Sequence, residues 1–333
     1  MSDRYLLVLW LTGKCNLRCS YCYAGGNPAP FHMEFSTARA AIDRLSGHPL
    51  KIQFAGGEPM LNFPLAEQIV GYVRKEGLDA VFQMQTNGTL VTPEKARALK
   101  NLGISVGVSL DGIPEVNNRT RGKTLEAVNG IRALGQVGTM VGLNAVVTAE
   151  TVEQLPKLVD FALYLGNIGG IGLDLLRYAG RGEENLPASP QQLEAALTAM
   201  HRRTKELQTL TGRTLQLREI ELAKRRLRST TPAKHYCYAA CGRSVVVLPD
   251  GSTYPCGSLL QTSYFMGQIS SLTPQHILAI PSSPFSGCSS CPYELHCPKG
   301  CPSRKIRNEH DLDCVLLKTA FRLAERDIYE TTD

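Results

Sequence analysis

The sequence predicts a parallel α/β fold, on three observations. Strand-like apolar runs at 6–11, 51–55, 80–86, 104–110, 142–148 and 171–176 alternate with helix-like runs. The helix-like runs carry apolar residues at helical spacing and stop at glycine. Six strand–helix repeats in succession argue for a parallel sheet covered by helices.

Taken in order, the first strand (YLLVLWL) leads directly into KCNLRCSYCYAGG, residues 14–26, where Cys15, Cys19 and Cys22 sit four and three residues apart. The helix FSTARAAIDRLSG (35–47) follows. KIQFAGGEPML (51–61) reads as a buried strand, two glycines, then an acid and a proline that end the element. Gly56 and Gly57 have no side chain, so backbone can approach a ligand closely there, and Glu58 places a carboxylate at the strand end. PLAEQIVGYVRKEG, TPEKARALKNLG, TLEAVNGIRALGQVG and TVEQLPKLVDFALYLG supply the later helices, and TNG (86–88) and SLDG (109–112) end the third and fourth strands. Asp111 and Gly112 read as an ordinary turn. Arg121, in NNRTRG, reads either as a loop arginine on the surface or as a ligand contact.

Composition narrows the class. The 333 residues can hold one large core or two domains, 43% hydrophobic content is that of a globular protein, and a net charge of +6 is too small to suggest nucleic-acid binding. No apolar run approaches a membrane span, and the opening apolar run is too short for a signal-peptide core. A cytoplasmic protein is expected. In that compartment eleven cysteines point to metal or redox chemistry rather than a disulfide framework.

Three clustered cysteines cannot pair off, and a structural zinc site normally closes with four ligands. The spacing C-x3-C-x2-C with Tyr21 before the last cysteine, followed by GGEP after the second strand, resembles the signature of the radical SAM superfamily. The resemblance implies a [4Fe–4S] cluster on Cys15, Cys19 and Cys22, whose open iron takes the amino and carboxyl groups of S-adenosyl-L-methionine. It implies a partial, TIM-like (β/α)6 barrel over residues 1–180. It also implies cofactor contacts at Tyr21, Gly56, Gly57, Glu58, Ser109 and Arg121, the last facing the cofactor carboxylate with a planar fork of donors.

Eight further cysteines follow Cys22 only after a long gap. CGRSVVVLPDGSTYPC reads as a β-hairpin running from Cys241 to Cys256, and CSSCPYELHCPKGC and a lone Cys314 come later. Two four-cysteine zinc sites would also use eight thiols. The spacings, together with the N-terminal motif, resemble the SPASM domain of many radical SAM enzymes, a small cysteine-rich α+β unit expected over residues 235–333. That resemblance implies one auxiliary [4Fe–4S] cluster on Cys237, Cys241, Cys256 and Cys301. It gives a second to Cys288, Cys291, Cys297 and Cys314, making three clusters in all. Between the two units, residues 181–234 form a basic helical segment. From 190 to 234 it has ten Lys or Arg against four Glu. It reads as a solvated helix face or as a guide for an acidic partner.

The family implies cleavage of S-adenosylmethionine to a 5′-deoxyadenosyl radical and net oxidation of a substrate. The expected occupation is modification of a peptide or protein, as in maturation of ribosomally made peptides. A ferredoxin or flavodoxin would serve as electron donor, and because the chain begins almost at its first strand, leader binding is expected to need either a separate leader-recognition protein or the basic segment. The alternatives are a sulfatase-type formylglycine maturase or haem or quinone cofactor biosynthesis. Two departures weigh against the sulfatase reading: Ala55 where those enzymes place a polar residue, and Gly257 where they carry an acid. Asp174, in GIGLDLLRYAG, is the candidate proton acceptor.

Overall fold

The computed structural model describes residues 3–25, 31–306 and 312–330. Six parallel strands come first: β1 (Tyr5–Thr12), β2 (Leu50–Gly56), β3 (Ala80–Thr86), β4 (Ile104–Ser109), β5 (Val141–Val147) and β6 (Ile168–Leu175). Each pairs with its neighbour in sequence. The crossovers are α1 (Phe35–Leu45), α2 (Phe63–Lys75), α3 (Pro93–Asn101), the pair α4 (Pro114–Thr120) and α5 (Thr124–Gln136), and α6 (Leu155–Leu165). The helix starts follow local chemistry; α3, for example, has Pro93 in its first turn and Thr92 accepting from Lys95 N at 3.3 Å. The short α4 falls in the stretch read from sequence as a loop, since seven residues are too few to show a period.

The sheet curves without closing. β6 pairs at its free edge with a two-residue strand, β7 (Gln216–Leu217), and β1 pairs not with β6 but with β8 (Ser244–Val247). The expected hairpin is present as β8 and β9 (Thr253–Tyr254). It adds to the barrel edge in parallel with β1, so one nine-stranded sheet runs through both cysteine-bearing parts.

β1 is buried on both faces. Leu7, Leu9 and Leu11 pack in the main core with Ile42, Ile52 and Phe54, all fully buried, each such side chain contributing roughly 1.5–3 kcal/mol. Val8 and Trp10 form a second cluster with Val246 and Leu248, and Ala55 packs against it. An alanine before the two glycines therefore belongs to an apolar contact with Trp10.

The basic segment forms α7 (Pro190–Thr211) and α8 (Arg218–Leu227), and Leu193, Leu197, Met200 and Leu207 face inward as their spacing predicts. A capping box between Ser189 and Gln192 starts α7. After a short helix, α9 (Pro302–Ile306), the C-terminal helix α10 (Leu312–Glu330) packs on α7 and α8. Part of the basic charge is paired within the chain. Arg203 pairs with Asp160, and Lys205 and Lys224 both pair with the buried Asp327 of α10, at 2.8 and 2.7 Å.

Candidate active site

The cysteine loop leaves the C-terminal end of β1 and is pinned by the glycines of β2. Gly57 N donates to Thr12 O (2.8 Å) and Glu58 N to Lys14 O (2.9 Å). A Cβ on Gly56 would stand 2.3 Å from Thr12 O, and one on Gly57 2.2 Å from Lys14 O; Gly56 also has φ +137°. The close approach these glycines permit is therefore to the backbone that carries Cys15. A second brace comes from the chain beyond β6, where Arg181 N donates to Cys22 O (3.1 Å) and its Nε to Cys19 O (2.9 Å). Asn185 Nδ2 reaches Ser20 O (2.9 Å).

Glu58 is buried and committed. Its carboxylate accepts from Met60 N (3.0 Å), the Thr86 hydroxyl (2.6 Å) and Asn87 N (2.7 Å). These neutral donors tie the end of β2 to the TNG turn after β3. Asn87 Nδ2 in turn donates to Asn16 Oδ1 (2.9 Å), beside Cys15. Burial pushes the Glu58 carboxyl above its ordinary pKa, against the hydrogen bonds that favour the anion.

Arg121 is not on the surface. It pairs with Asp111 (Nη2–Oδ1 3.0 Å) and lies over the Tyr21 ring, 5.3 Å from its centroid. Asp111 is fully buried and does far more than make a turn. It accepts from the Tyr21 hydroxyl, from Thr120 Oγ1 (2.9 Å) and from Val146 N (3.0 Å). Burial opposes the charge on Arg121, but Asp111, Tyr21 and Cys19 outweigh it and hold the guanidinium cationic. Its buried Nε has no partner among the described residues.

All of the N-terminal candidates, the three cysteines, Tyr21, Gly56 to Glu58, Ser109, Arg121 and Asp174, border one cavity of about 300 Å³. Ser109 accepts from Gln85 (3.0 Å), while Gln83 bonds Gln53 on the neighbouring strand. Asp174 sits between two arginines, 3.4 Å from Arg177 and 3.3 Å from Arg304. Burial would raise its pKa, but Arg177, Arg304 and Arg218 draw it below the usual carboxylate range. The group is thus an anion with weak basicity, poorly suited to accepting a proton.

Sequence reasoning passed over Tyr23 and Arg177, which line the same cavity. Tyr23 borders both cysteine-bearing regions, since Cys22 and Cys256 both bear on its hydroxyl. Gly257 explains its own smallness: a Cβ there would meet Trp10 at 3.2 Å, with the Tyr23 hydroxyl at 3.8 Å. The second tyrosine of SYCY was the available signal for Tyr23. Arg177 lies three residues after Asp174, as its partner does in many ion pairs.

Seven of the eight C-terminal cysteines gather in two places, and Cys241 lies apart from both. Cys288, Cys291, Cys297 and Cys314 line one small cavity of about 80 Å³, with Tyr293 stacked on Phe321 beside it. Cys314 reaches it from α10. Cys237 is close enough to Cys256 and Cys301 to feel their charge, and burial pushes its thiol up to about 11. Cys241 closes the turn 239–241, its Sγ donating to Tyr238 O (3.3 Å), and borders an open groove with Arg226 and His296. Among the described residues, no group of three or more His, Cys, Asp or Glu is drawn tightly enough for a single metal ion.

The residues at the N-terminal cavity fit a bound cluster and cofactor. Cys19 is pushed up to about 11 by burial and the more exposed Cys15 is raised by its partial burial, so both rest as thiols, and coordination replaces the proton they otherwise hold. The unpartnered Arg121 Nε adds a buried donor in a cavity large enough for a small ligand.

The fold and this site define an S-adenosylmethionine-dependent iron–sulfur class, and comparison with known proteins agrees. Residues 11–162 match the Radical SAM superfamily. The chain is 32% identical over 263 residues to an uncharacterised protein of Methanocaldococcus jannaschii, covering 76% of this chain and 85% of that one. It is 38% identical over 216 residues to Fe-coproporphyrin III synthase of Methanosarcina barkeri, covering 62% of this chain but only 53% of the synthase. A serine-type anaerobic sulfatase-maturating enzyme of Klebsiella aerogenes is 24% identical, with 90% and 80% covered. Among solved structures, anSMEcpe with bound AdoMet superposes with a TM-score of 0.81 at 21% identity, over 98% of this chain and 94% of that one. SuiB of Streptococcus suis gives 0.69 at 15% identity, over 93% and 77%. At these identities the structural likeness speaks for the fold, and it extends through the cysteine-rich C-terminal part. The chain belongs to the radical SAM superfamily.

Proposed function

We propose that this radical SAM enzyme oxidatively modifies a peptide or protein, using three [4Fe–4S] clusters in the cysteine sets described above. The observation that carries the reading is the cavity itself. Its front is the Cys15–Cys22 loop, and its rear includes Arg177, which is also in contact with Cys301. A group bound between the two would face the cysteine loop on one side and Arg177, with Cys301 behind it, on the other, an arrangement suited to starting a radical and then withdrawing an electron. S-adenosylmethionine and a reduced cluster, bound on the cysteine loop, would supply the hydrogen-abstracting radical.

The chain's own residues orient and enclose. Glu58 and the two glycines fix the height of the cysteine loop, and the Tyr21–Asp111–Arg121 group presents a guanidinium to the cofactor carboxylate. Asp174, held as an anion, is an anchor for substrate or for the arginines around it. Whole-length similarity to a sulfatase maturase and to structures solved with bound peptides supports a peptide substrate. Gly257 stands where sulfatase maturases carry an acid, and a Cβ there would already meet Trp10 at 3.2 Å, which weighs against that branch. No helix among the described residues is long and apolar enough to cross a membrane. A ferredoxin or flavodoxin is the proposed electron donor.

One observation favours a second reading, haem-type cofactor biosynthesis: 38% identity to Fe-coproporphyrin III synthase over the matched part. The test is to reduce the anaerobically reconstituted protein and offer it either peptides encoded beside its gene or an iron coproporphyrin. A peptide product lighter by two hydrogens, with 5′-deoxyadenosine formed in step, supports the first. Turnover of the porphyrin alone replaces it with the second.

A further inference from the structure

The cysteines whose acidity is shifted divide by neighbour. Burial raises Cys15, Cys19, Cys237, Cys297 and Cys314. Cys301, the only buried cysteine of the eleven, moves the other way, because Arg177 and Arg304 outweigh its burial. The geometry behind this is specific. Arg177 Nη1 lies 3.9 Å from Cys301 Sγ and 2.9 Å from Ser303 Oγ, and Ser303 Oγ is itself 3.1 Å from the same sulfur. Arg304 is locked to Asp313 by two short bonds, Nε–Oδ2 2.7 Å and Nη2–Oδ1 2.6 Å. Both guanidiniums also reach Asp174 Oδ1, and the Asp174 side chain, unlike the two arginines, is 35% exposed. A carboxylate on the cavity wall is therefore one ion pair away from a buried thiol.

We propose that Arg177, clamped by Asp174, sets the reduction potential of the cluster that Cys301 helps to hold, and makes that potential respond to charge in the substrate cavity. The proposal rests on the reading above in which Cys301 is a cluster ligand. Reduction adds negative charge to a cluster, so a nearby cation and an N–H···S hydrogen bond both stabilise the reduced form and raise the potential. Asp174 offsets part of that cation. A substrate group that engages Asp174 would leave Arg177 less compensated and make the cluster a better electron acceptor once substrate is in place. Arg177 is a positioning and charge-setting residue, acting through Cys301 rather than on the substrate.

The test is an EPR-monitored redox titration of the reconstituted full-length protein, with iron counted for every variant. Arg177→Gln should shift one auxiliary midpoint downward and leave the other unmoved, while Arg177→Lys, which keeps the charge, should shift it less. Asp174→Asn should move the same midpoint upward. Opposite signs from two substitutions in one ion pair are the mark of charge, since a loosened structure would move both the same way. Unmoved midpoints at full iron content overturn the inference, as do shifts of equal sign. Should Arg177→Gln lose iron, the Asp174→Asn and Arg177→Lys titrations decide alone, and an unchanged midpoint in Asp174→Asn overturns it. Cys301→Ala separates the two levels: full iron together with unchanged EPR signals and midpoints for both auxiliary clusters removes the ligand reading and the inference with it.

Discussion

The two halves of the cavity are built on different physics. At the ends of β1 to β3 the chain is held by backbone contacts and neutral hydrogen bonds. Two glycines press on the cysteine loop, and Glu58 accepts from two amides and a hydroxyl. At the ends of β4 to β6 ion pairs do the holding, with Asp111 on Arg121 and Asp174 on Arg177 and Arg304. Glu58 and Asp174 show the consequence. Burial alone would raise both, and it does raise Glu58, whereas the arginines carry Asp174 below its ordinary value. A carboxylate's chemistry in this cavity thus follows both its depth and its partners' charge, Glu58 lying fully buried among neutral donors and Asp174 partly exposed beside arginines.

The sharpest break between the halves is removal of the thiols on one side. Replacing Cys15, Cys19 and Cys22 by Ala together should reduce iron from about twelve to about eight per chain and abolish 5′-deoxyadenosine formation, because the other eight thiols are untouched. Iron and sulfide analysis with product chromatography measures both. Cofactor cleavage surviving the triple change would falsify the assignment of the front half.

Gly57→Ala attacks the same half without touching a thiol. Its Cβ would fall 2.2 Å from Lys14 O, so the loop carrying Cys15 must shift, a strain on the order of 1–3 kcal/mol. Iron should fall toward the value of the triple variant, with cofactor cleavage falling in parallel. A variant that keeps all its iron and its activity would show that the glycine brace is dispensable. A matching change at Gly122, where an added Cβ meets nothing within 4 Å though φ is +81°, should spare the cluster.

What was legible in the sequence follows the same division. The front half is written in short segments, a three-cysteine loop and GGEP, and local motifs of this kind can be read one at a time. Even there the reason for the glycines was not readable, because the carbonyls they approach belong to Thr12, at the end of β1, and to Lys14, in the loop after it. The rear half is assembled from distant parts. Asp111 looked like half of a turn, yet its partners come from Tyr21, Thr120, Arg121 and Val146. Asp174 looked like a base because Arg304, which helps to suppress its basicity, is 130 residues away. Periodicity found the barrel helices and the apolar face of α7. It could not place β8 beside β1, since pairing between strands so far apart leaves no local trace.

Arg121→Ala tests an ion pair of the rear half. Asp111 would be left fully buried without its cation, which costs about 3–5 kcal/mol, so a drop in melting temperature is expected. Affinity for S-adenosylmethionine should fall about ten- to a hundredfold by isothermal titration, the loss of one charge-assisted contact. Arg121→Lys restores the charge but not the fork, and should recover stability more than affinity. Unchanged affinity in both variants would reduce Arg121 to a support for Tyr21 and Asp111.

The smallest expected effect lies outside the cavity and asks whether ion pairs also hold the C-terminal cysteines in place. Asp327 accepts from His201, Lys205 and Lys224, joining α10, which carries Cys314, to α7 and α8. Burial would raise its pKa, but these three partners bring it down to about 2. A carboxylate depressed in the folded state contributes stability that is complete above its unfolded pKa and is lost only as pH falls through about 2. Asp327→Asn should therefore cost about 2 kcal/mol by denaturant unfolding, with a difference from wild type that stays flat between about pH 7.5 and 9. A cost that grew or vanished across that range would assign the effect to a lysine or to a rearranged helix. If α10 moves with the lost clamp, the cluster held by Cys288, Cys291, Cys297 and Cys314 should also release iron faster to a chelator. Release at the wild-type rate would mean that packing alone, including the Tyr293–Phe321 stack, keeps Cys314 in register.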